Sequence, residues 1–317
     1  ARMTAHYPRL RFVPGKGRGF GPGLVGRLLF FPALLGAVWS SWRLLREFRP
    51  SVLVCFGGFM SLAPALACRL AGVPVLVHEA NRRPGKAVRL IARFATSVHL
   101  PTGVRLPGVA AERQHDSGYP VRAEIRPEAR EAARRALGLP PAGRLVLVVG
   151  GSQGAARLNR WVEAHLADFA ERGVHVLCLT GPGGREDEVR TPQSVVKFLP
   201  FCHQMAAAYS AADLAVARAG AGTLAELATC RTPAVLIPLP SAADDHQTAN
   251  ARESARTGAA LLLPEAELDR LAALVFGRLH DNAALAAMRD ALALADAGNR
   301  WEALATETVA LAGGAPA

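Results

Sequence analysis

At 317 residues, half of them hydrophobic and a fifth charged, the chain has the composition of a globular protein long enough for two domains with separate cores. Its formal net charge of +11 comes almost entirely from arginine, Lys16, Lys86 and Lys197 being the only lysines, a skew that points to the coding bias of a GC-rich genome. The excess suits nucleotides, diphosphates or an anionic membrane face, whereas the lack of a recognition motif and of basic residues interleaved with stacking aromatics argues against nucleic acid.

The chain opens on Ala1 with no signal-peptide pattern after it. A first strand is predicted at Leu10–Val13. A helix follows near Arg27–Phe48, where "RLLFFPALLGAVWSSWR" is the most membrane-like stretch. Only fifteen residues separate Arg27 from Arg43, and Pro32 interrupts them, against the roughly 20 that a span needs. The segment is expected not to cross a bilayer. Two readings remain open for it: an ordinary core helix, or surface attachment in which Leu28, Leu29, Phe30, Phe31, Leu35, Trp39 and Trp42 insert while Arg27, Arg43 and Arg46 meet anionic headgroups.

Further strands are predicted at Val52–Phe56, Val75–His78 and Ser97–Leu100, with helices near Leu62–Leu70 and Lys86–Arg93. The polar, proline-containing "GYPVRAEIRPEAR" (Gly118–Arg130) reads as a linker. Beyond it, apolar runs at Leu145–Val149, Val174–Leu179, Ser194–Leu199, Leu214–Ala217, Ala234–Pro238 and Ala260–Leu263 read as strands. Helical patterns lie at Ala155–Ala170, Gln204–Ala211, Thr223–Cys230 and Gln247–Arg256, with a last helix in "NRWEALATETVALAGG". This alternation predicts parallel sheets covered on both faces. The five cysteines form no Cys-x-x-Cys pair and mostly sit in apolar runs, as in a reduced cytoplasmic protein.

Ligands of open α/β sheets bind at the carboxyl ends of strands, and three glycine turns leave strands there. "VCFGGFMSLAPALA" and "VVGGSQGAARLN" each feed a helix whose free N–H groups suit phosphate. Neither is a P-loop nor Gly-x-Gly-x-x-Gly, and either could simply be a tight strand–helix turn. In the third, "ARAGAGTLAEL", Glu226 sits in the following helix, where a carboxylate can accept from both hydroxyls of a ribose. "PLPSAADDHQTANA" then brings Asp245, His246, Gln247 and Asn250 to the start of another helix, with Asp244 or Asp245 as its expected N-cap. With no Asp-x-Asp motif in a loop, neither a metal nor a cofactor is expected.

The order of "CFGGFMS", "VHEAN", "YPVRAEI", "VVGGSQGAARLN", "RAGAGTLAEL" and "DDHQTANA" resembles the peptidoglycan glycosyltransferases of the MurG family through almost the whole chain. The resemblance implies an α/β fold of the glycosyltransferase-B type, two Rossmann-like doubly wound domains facing a cleft. Residues 1–120 would form the acceptor and membrane-facing domain. Residues 121–317 would bind the UDP-sugar, with a final helix free to pack back on the first domain. The implied reaction is inverting transfer of N-acetylglucosamine from UDP-N-acetylglucosamine to undecaprenyl-diphosphate-linked N-acetylmuramoyl-pentapeptide (lipid I). It would occur peripherally on the cytoplasmic face of the bacterial plasma membrane, in peptidoglycan synthesis and hence cell shape and division.

By the same resemblance, Ser152 and the amides around Gln153 would meet the diphosphate, and the backbone of Cys202 the uracil. Arg218 would lie by the phosphates, Ala221, Gly222, Thr223 and Leu224 beneath the nucleotide, Glu226 on the ribose and Gln247 on the sugar hydroxyls. Asn81 and Arg122 match donor-binding positions and Asn159 an active-site asparagine. His78 and Glu79 would line the cleft, His78 as a catalytic part or as a hydrogen-bonded structural histidine.

The family's initial strand and Gly-Gly-Thr-Gly-Gly-His loop have no counterpart here, so the chain reads as an N-terminally truncated representative. The histidine of that loop is a family candidate for the general base, and Glu79 is the nominated substitute. Ala80, Tyr119, Phe59 and Val88 also replace the family's frequent glutamine, asparagine, tyrosine and asparagine. A non-catalytic UDP-sugar-binding subunit that needs a partner for acceptor binding is the alternative reading.

Overall fold

The computed structural model describes residues 10–14, 23–151 and 154–313, with side chains in the first helix described from Pro32 onward. That helix, α1 (Gly23–Phe48), continues through Pro32. From its described part, Leu34 and Leu45 pack on the N-terminal core, while Leu35 and Trp39 face outward at 71% and 66% exposure. Among the described residues no helix is long and apolar enough to cross a membrane.

Beyond α1, the elements are β1 (Leu53–Cys55), α2 (Leu62–Leu70), β2 (Val75–His78), α3 (Lys86–Ile91), β3 (Ser97–Pro101) and β4 (Gln114–Ser117). The strands form one parallel sheet in the order β1-β2-β3-β4, with Val54 opposite Leu76, Val77 opposite Val98 and Leu100 opposite Asp116. Val75, Val77, Val98 and Leu100 bury one face of it with Leu62, Ala65 and Ile91. Leu10–Val13 is not a strand, contrary to its apolar pattern. It runs exposed past the end of α1, where Arg11 pairs with Glu47 at 2.7 Å and lies over the Phe48 ring.

After the linker come α4 (Arg130–Ala136), β5 (Arg144–Val149), α5 (Ala156–Ala164), α6 (Leu166–Glu171), β6 (Val174–Leu179), β7 (Asp187–Arg190) and β8 (Val195–Leu199). They continue with α7 (Met205–Ala211), β9 (Leu214–Ala217), α8 (Ala221–Thr229), β10 (Ala234–Leu236), α9 (His246–Arg256) and β11 (Ala260–Leu262). Three helices close the chain: α10 (Leu271–His280), α11 (Asn282–Ala297) and α12 (Glu302–Leu311). The sheet order is β11-β10-β9-β5-β6-β8-β7. Its central strands are near-continuous apolar runs because helices cover both faces, Leu145, Leu147 and Val149 facing one core and Val146 and Val148 the other.

Other features also depart from the sequence pattern: α4, α10 and α11 form where no helix is predicted. β4 and β7 are not among the predicted strands, yet each pairs as an edge strand, β7 antiparallel to β8, where one partner and one wet side tolerate "QHDS" and "DEVR". The single helix expected over Ala155–Ala170 breaks at His165. Its ring Nδ1 sits 2.8 Å from the Trp161 carbonyl, and its backbone N–H turns to Val162 instead. Asp245 occupies the N-cap position of α9 but makes no capping bond. Both it and Asp244 adopt φ 53°, and Asp244 instead faces Arg89 of the N-terminal half at 4.0 Å.

Long-range polar contacts fix how the two halves meet. Asn299, between α11 and α12, accepts from the Tyr119 N–H and donates to its carbonyl, at 2.8 and 3.1 Å. From α12, Glu307 reaches His99 Nε2 at 2.8 Å and accepts from the Ser97 hydroxyl at 3.0 Å, so this helix packs on the N-terminal sheet. Within the C-terminal half, Asp213 is fully buried at the start of β9 and gathers Arg130, Arg134, Arg144 and the Leu145 N–H. Burial pushes its carboxyl up, but these donors outweigh that and hold it below its ordinary value.

Candidate active site

Strand order places the site. β5 has β6 on one side and β9 on the other, so the connections leaving β5 and β9 diverge and open a crevice at their carboxyl ends. The turn after β5 leads into α5, and Arg218–Gly220 after β9 leads into α8. Both nine-residue helices thus begin beside the crevice, where their free N–H groups favour an anion.

Two glycines of the first turn, Gly150 and Gly154, are there for close packing. A Cβ on Gly150 would fall 2.4 Å from the Ala155 nitrogen; one on Gly154, at φ +72°, would fall 2.4 Å from the Thr180 carbonyl oxygen. Asn159 donates to that same carbonyl at 2.9 Å, so the asparagine braces the floor of the turn. Ser152 and Gln153 lie outside the described residues.

Arg218 is only 7% exposed, and its Nη1 donates to Glu265 at 2.7 Å and to the carbonyls of Ile237 and Pro238. The scaffold thus holds this one nitrogen of the guanidinium, on a residue that the resemblance expects by the phosphates. Glu265 also pairs with the half-exposed Arg157 in the first turn of α5, at 3.1 Å. Ala221, Gly222, Thr223 and Leu224 form the first turn of α8, and a Cβ on Gly222 would approach the Tyr119 hydroxyl to 3.1 Å.

One turn further on, Glu226 is held from two sides. Arg122 Nη2, from the linker, reaches Oε1 at 3.3 Å, and the buried Tyr209 hydroxyl donates to Oε2 at 2.9 Å. Cys202 is buried beside the exposed Phe201, and among the described residues its backbone N–H and carbonyl have no protein partner. The side chain of Gln247 accepts from the Leu239 N–H at 2.9 Å and so shapes the loop after β10.

Across the crevice, the loop after β2 is built around Glu79. Its carboxylate accepts from the backbone N–H and side-chain amide of Asn81 at 2.9 and 2.8 Å, and from the Gly85 N–H at 3.0 Å. With both oxygens engaged, Glu79 serves this loop as a brace. His78 is 2% exposed; Nε2 lies 2.7 Å from the Gly118 carbonyl, and its ring packs edge-on against Phe56. Burial lowers its pKa, although the Gly118 carbonyl and Glu79 act the other way. Of the two readings for His78, this geometry is that of the hydrogen-bonded structural histidine.

Two residues outside the expected donor set join these parts. Asn250 is 2% exposed on α9. It donates to Asn81 Oδ1 at 3.0 Å and the Ala219 carbonyl at 3.1 Å, and accepts from the Arg82 N–H at 2.9 Å. It thereby ties the Glu79 loop to the chain entering α8. Tyr209 is the other. Its only sequence signal is a phenol in the alanine-rich run "MAAAYSAA", whose partner lies seventeen residues away.

Comparison with known proteins agrees with this architecture. Residues 9–100 match the glycosyltransferase family 28 N-terminal domain and residues 145–301 its C-terminal domain. The UDP-N-acetylglucosamine–N-acetylmuramyl-(pentapeptide) pyrophosphoryl-undecaprenol N-acetylglucosamine transferase of Opitutus terrae is 42% identical over 308 residues, covering 95% of this chain and 82% of that protein. Its namesake from Salinibacter ruber is 39% identical over 290 residues, covering 85% and 78%. The crystal structure of Acinetobacter baumannii MurG superposes with a TM-score of 0.69 at 26% identity, over 98% of this chain and 87% of that one. The fold is accordingly the two-domain glycosyltransferase-B type. The chain belongs to the family of UDP-N-acetylglucosamine–N-acetylmuramyl-(pentapeptide) pyrophosphoryl-undecaprenol N-acetylglucosamine transferases.

Proposed function

We propose that this chain transfers N-acetylglucosamine from UDP-N-acetylglucosamine to lipid I. The observation that carries the donor half is the convergence of the α5 and α8 N-termini on the crevice, with Glu226 on the first turns of α8. Family membership supports the acceptor half. In the reaction, the muramoyl 4-hydroxyl oxygen forms a bond to the anomeric carbon while the bond from that carbon to the diphosphate oxygen breaks. The configuration inverts, UDP leaves with the bonding pair, and the hydroxyl proton passes to a base. Helix N–H groups at the crevice stabilise the charge that develops on the leaving diphosphate. Glu226 accepts from the ribose hydroxyls, and the free backbone groups of Cys202 suit the edge of a pyrimidine.

In this reading residues 1–120 meet the acceptor and the membrane, and residues 121–317 hold the UDP-sugar. The outward-facing Leu35 and Trp39 of α1 support peripheral attachment to the anionic cytoplasmic face of the plasma membrane, with Arg43 and Arg46 toward the headgroups. Flotation with phosphatidylglycerol vesicles should fall with added salt and with Leu35→Ser/Trp39→Ser; flotation unchanged by both would remove the membrane assignment.

Calorimetric titration of UDP tests the donor site. Glu226→Ala should weaken binding by about 1–3 kcal/mol, roughly 5- to 150-fold. Equal affinity in variant and wild type would refute the assignment.

A further inference from the structure

The donor reading gives Tyr209 no task, yet its geometry is specific. The side chain is 1% exposed among Ala206, Ala207, Ala208 and Ala211, where a phenylalanine would satisfy the packing. The hydroxyl instead leaves that core to donate to Glu226 Oε2 at 2.9 Å. At the other end of the residue, the Thr232 hydroxyl donates to the Tyr209 carbonyl at 3.0 Å, which ties α7 to the turn entering β10. Burial, followed by the neighbouring Glu226, raises the phenol's pKa well above its ordinary value, so it stays a neutral donor through any working pH.

A carboxylate has about four acceptor positions on its two oxygens. Tyr209 takes one on Oε2 and Arg122 one on Oε1. One position on each oxygen is left, which matches the two adjacent hydroxyls of a ribose. Arg122 alone could not hold this orientation, because its side chain is half exposed and also reaches Glu124 at 3.4 Å.

Resting on the reading of Glu226 as the ribose ligand, we infer that Tyr209 is a positioning residue for the donor. It locks the Glu226 carboxylate so that both free acceptor positions face the ribose, and so sets the preference for ribose over a sugar lacking those hydroxyls.

The test is calorimetric titration of UDP and of 2′,3′-dideoxy-UDP into wild type, Tyr209→Phe, Glu226→Ala and the double variant, with thermal unfolding run on each. Wild type should prefer UDP by at least about tenfold. Tyr209→Phe, which keeps the ring and the packing, should weaken UDP by about three- to tenfold and leave dideoxy-UDP within about twofold of wild type. The double variant should bind UDP as Glu226→Ala does, because the phenol acts only through that carboxylate. Equal weakening of both ligands by Tyr209→Phe would assign the residue to core packing and overturn the inference, as would no weakening of either. Wild type binding both ligands alike would instead remove the ribose role of Glu226, and the inference with it.

Discussion

Replacing Asn250 by alanine deletes three hydrogen bonds at a position that water does not reach. Its amide nitrogen donates to Asn81 Oδ1 and the Ala219 carbonyl, and its oxygen accepts from the Arg82 N–H, all between 2.9 and 3.1 Å. A net worth of about 0.5–1.5 kcal/mol for each of the three bonds gives an expected loss of about 1.5–4.5 kcal/mol. Asn250→Asp sharpens the test. It keeps an acceptor for Arg82 but sets a second oxygen against two acceptors, so at neutral pH it should be less stable than the alanine variant. The folded state then disfavours the charged carboxylate and raises its pKa, so the deficit should shrink as pH falls and the group takes a proton. Urea unfolding at pH 7 and pH 5 measures both effects, and hydrogen exchange at the Arg82 amide reports the contact itself. Asn250→Ala within about 0.5 kcal/mol of wild type, or Asn250→Asp as stable as alanine at pH 7, would refute the reasoning.

Asp213→Asn should destabilise the fold by about 3–5 kcal/mol in chemical denaturation, because it strips the charge partner from the fully buried Arg134; a loss below about 1 kcal/mol would contradict this. Gly154→Ala should sharply weaken UDP binding through its clash with the Thr180 carbonyl, whereas Gly151→Ala, at φ +81° in open space, should cost only the backbone strain of about 1–3 kcal/mol; titration and thermal unfolding giving matched effects for the pair would show that the turn is not packed as described. His78, His99 and His175 all have pKa values lowered from 6.5, with burial as the leading cause in each. The unfolded chain therefore binds protons first, and thermal stability should fall as pH drops from about 7.5 to 5.5; a flat profile across that window would be inconsistent with three neutral buried rings.

By itself the sequence determined the elements whose chemistry is local. Strands such as Leu145–Val149 are legible because a strand covered on both faces is a continuous apolar run, and the glycine turn after β5 because close packing at Gly150 and Gly154 excludes a side chain. Glu226 could be nominated from its place in the helix after a strand. What the tertiary structure decided is which polar groups find one another. β4 and β7 are strands because an adjacent edge accepts their hydrogen bonds, which no residue within "QHDS" or "DEVR" announces. Arg218 is committed to Glu265, forty-seven positions away, and Asn250 to Asn81, 169 positions away. Apolar burial leaves a periodic trace along the chain because any apolar neighbour will serve. A buried hydrogen bond needs one particular partner at one distance and angle, and that pairing exists only once the chain has folded.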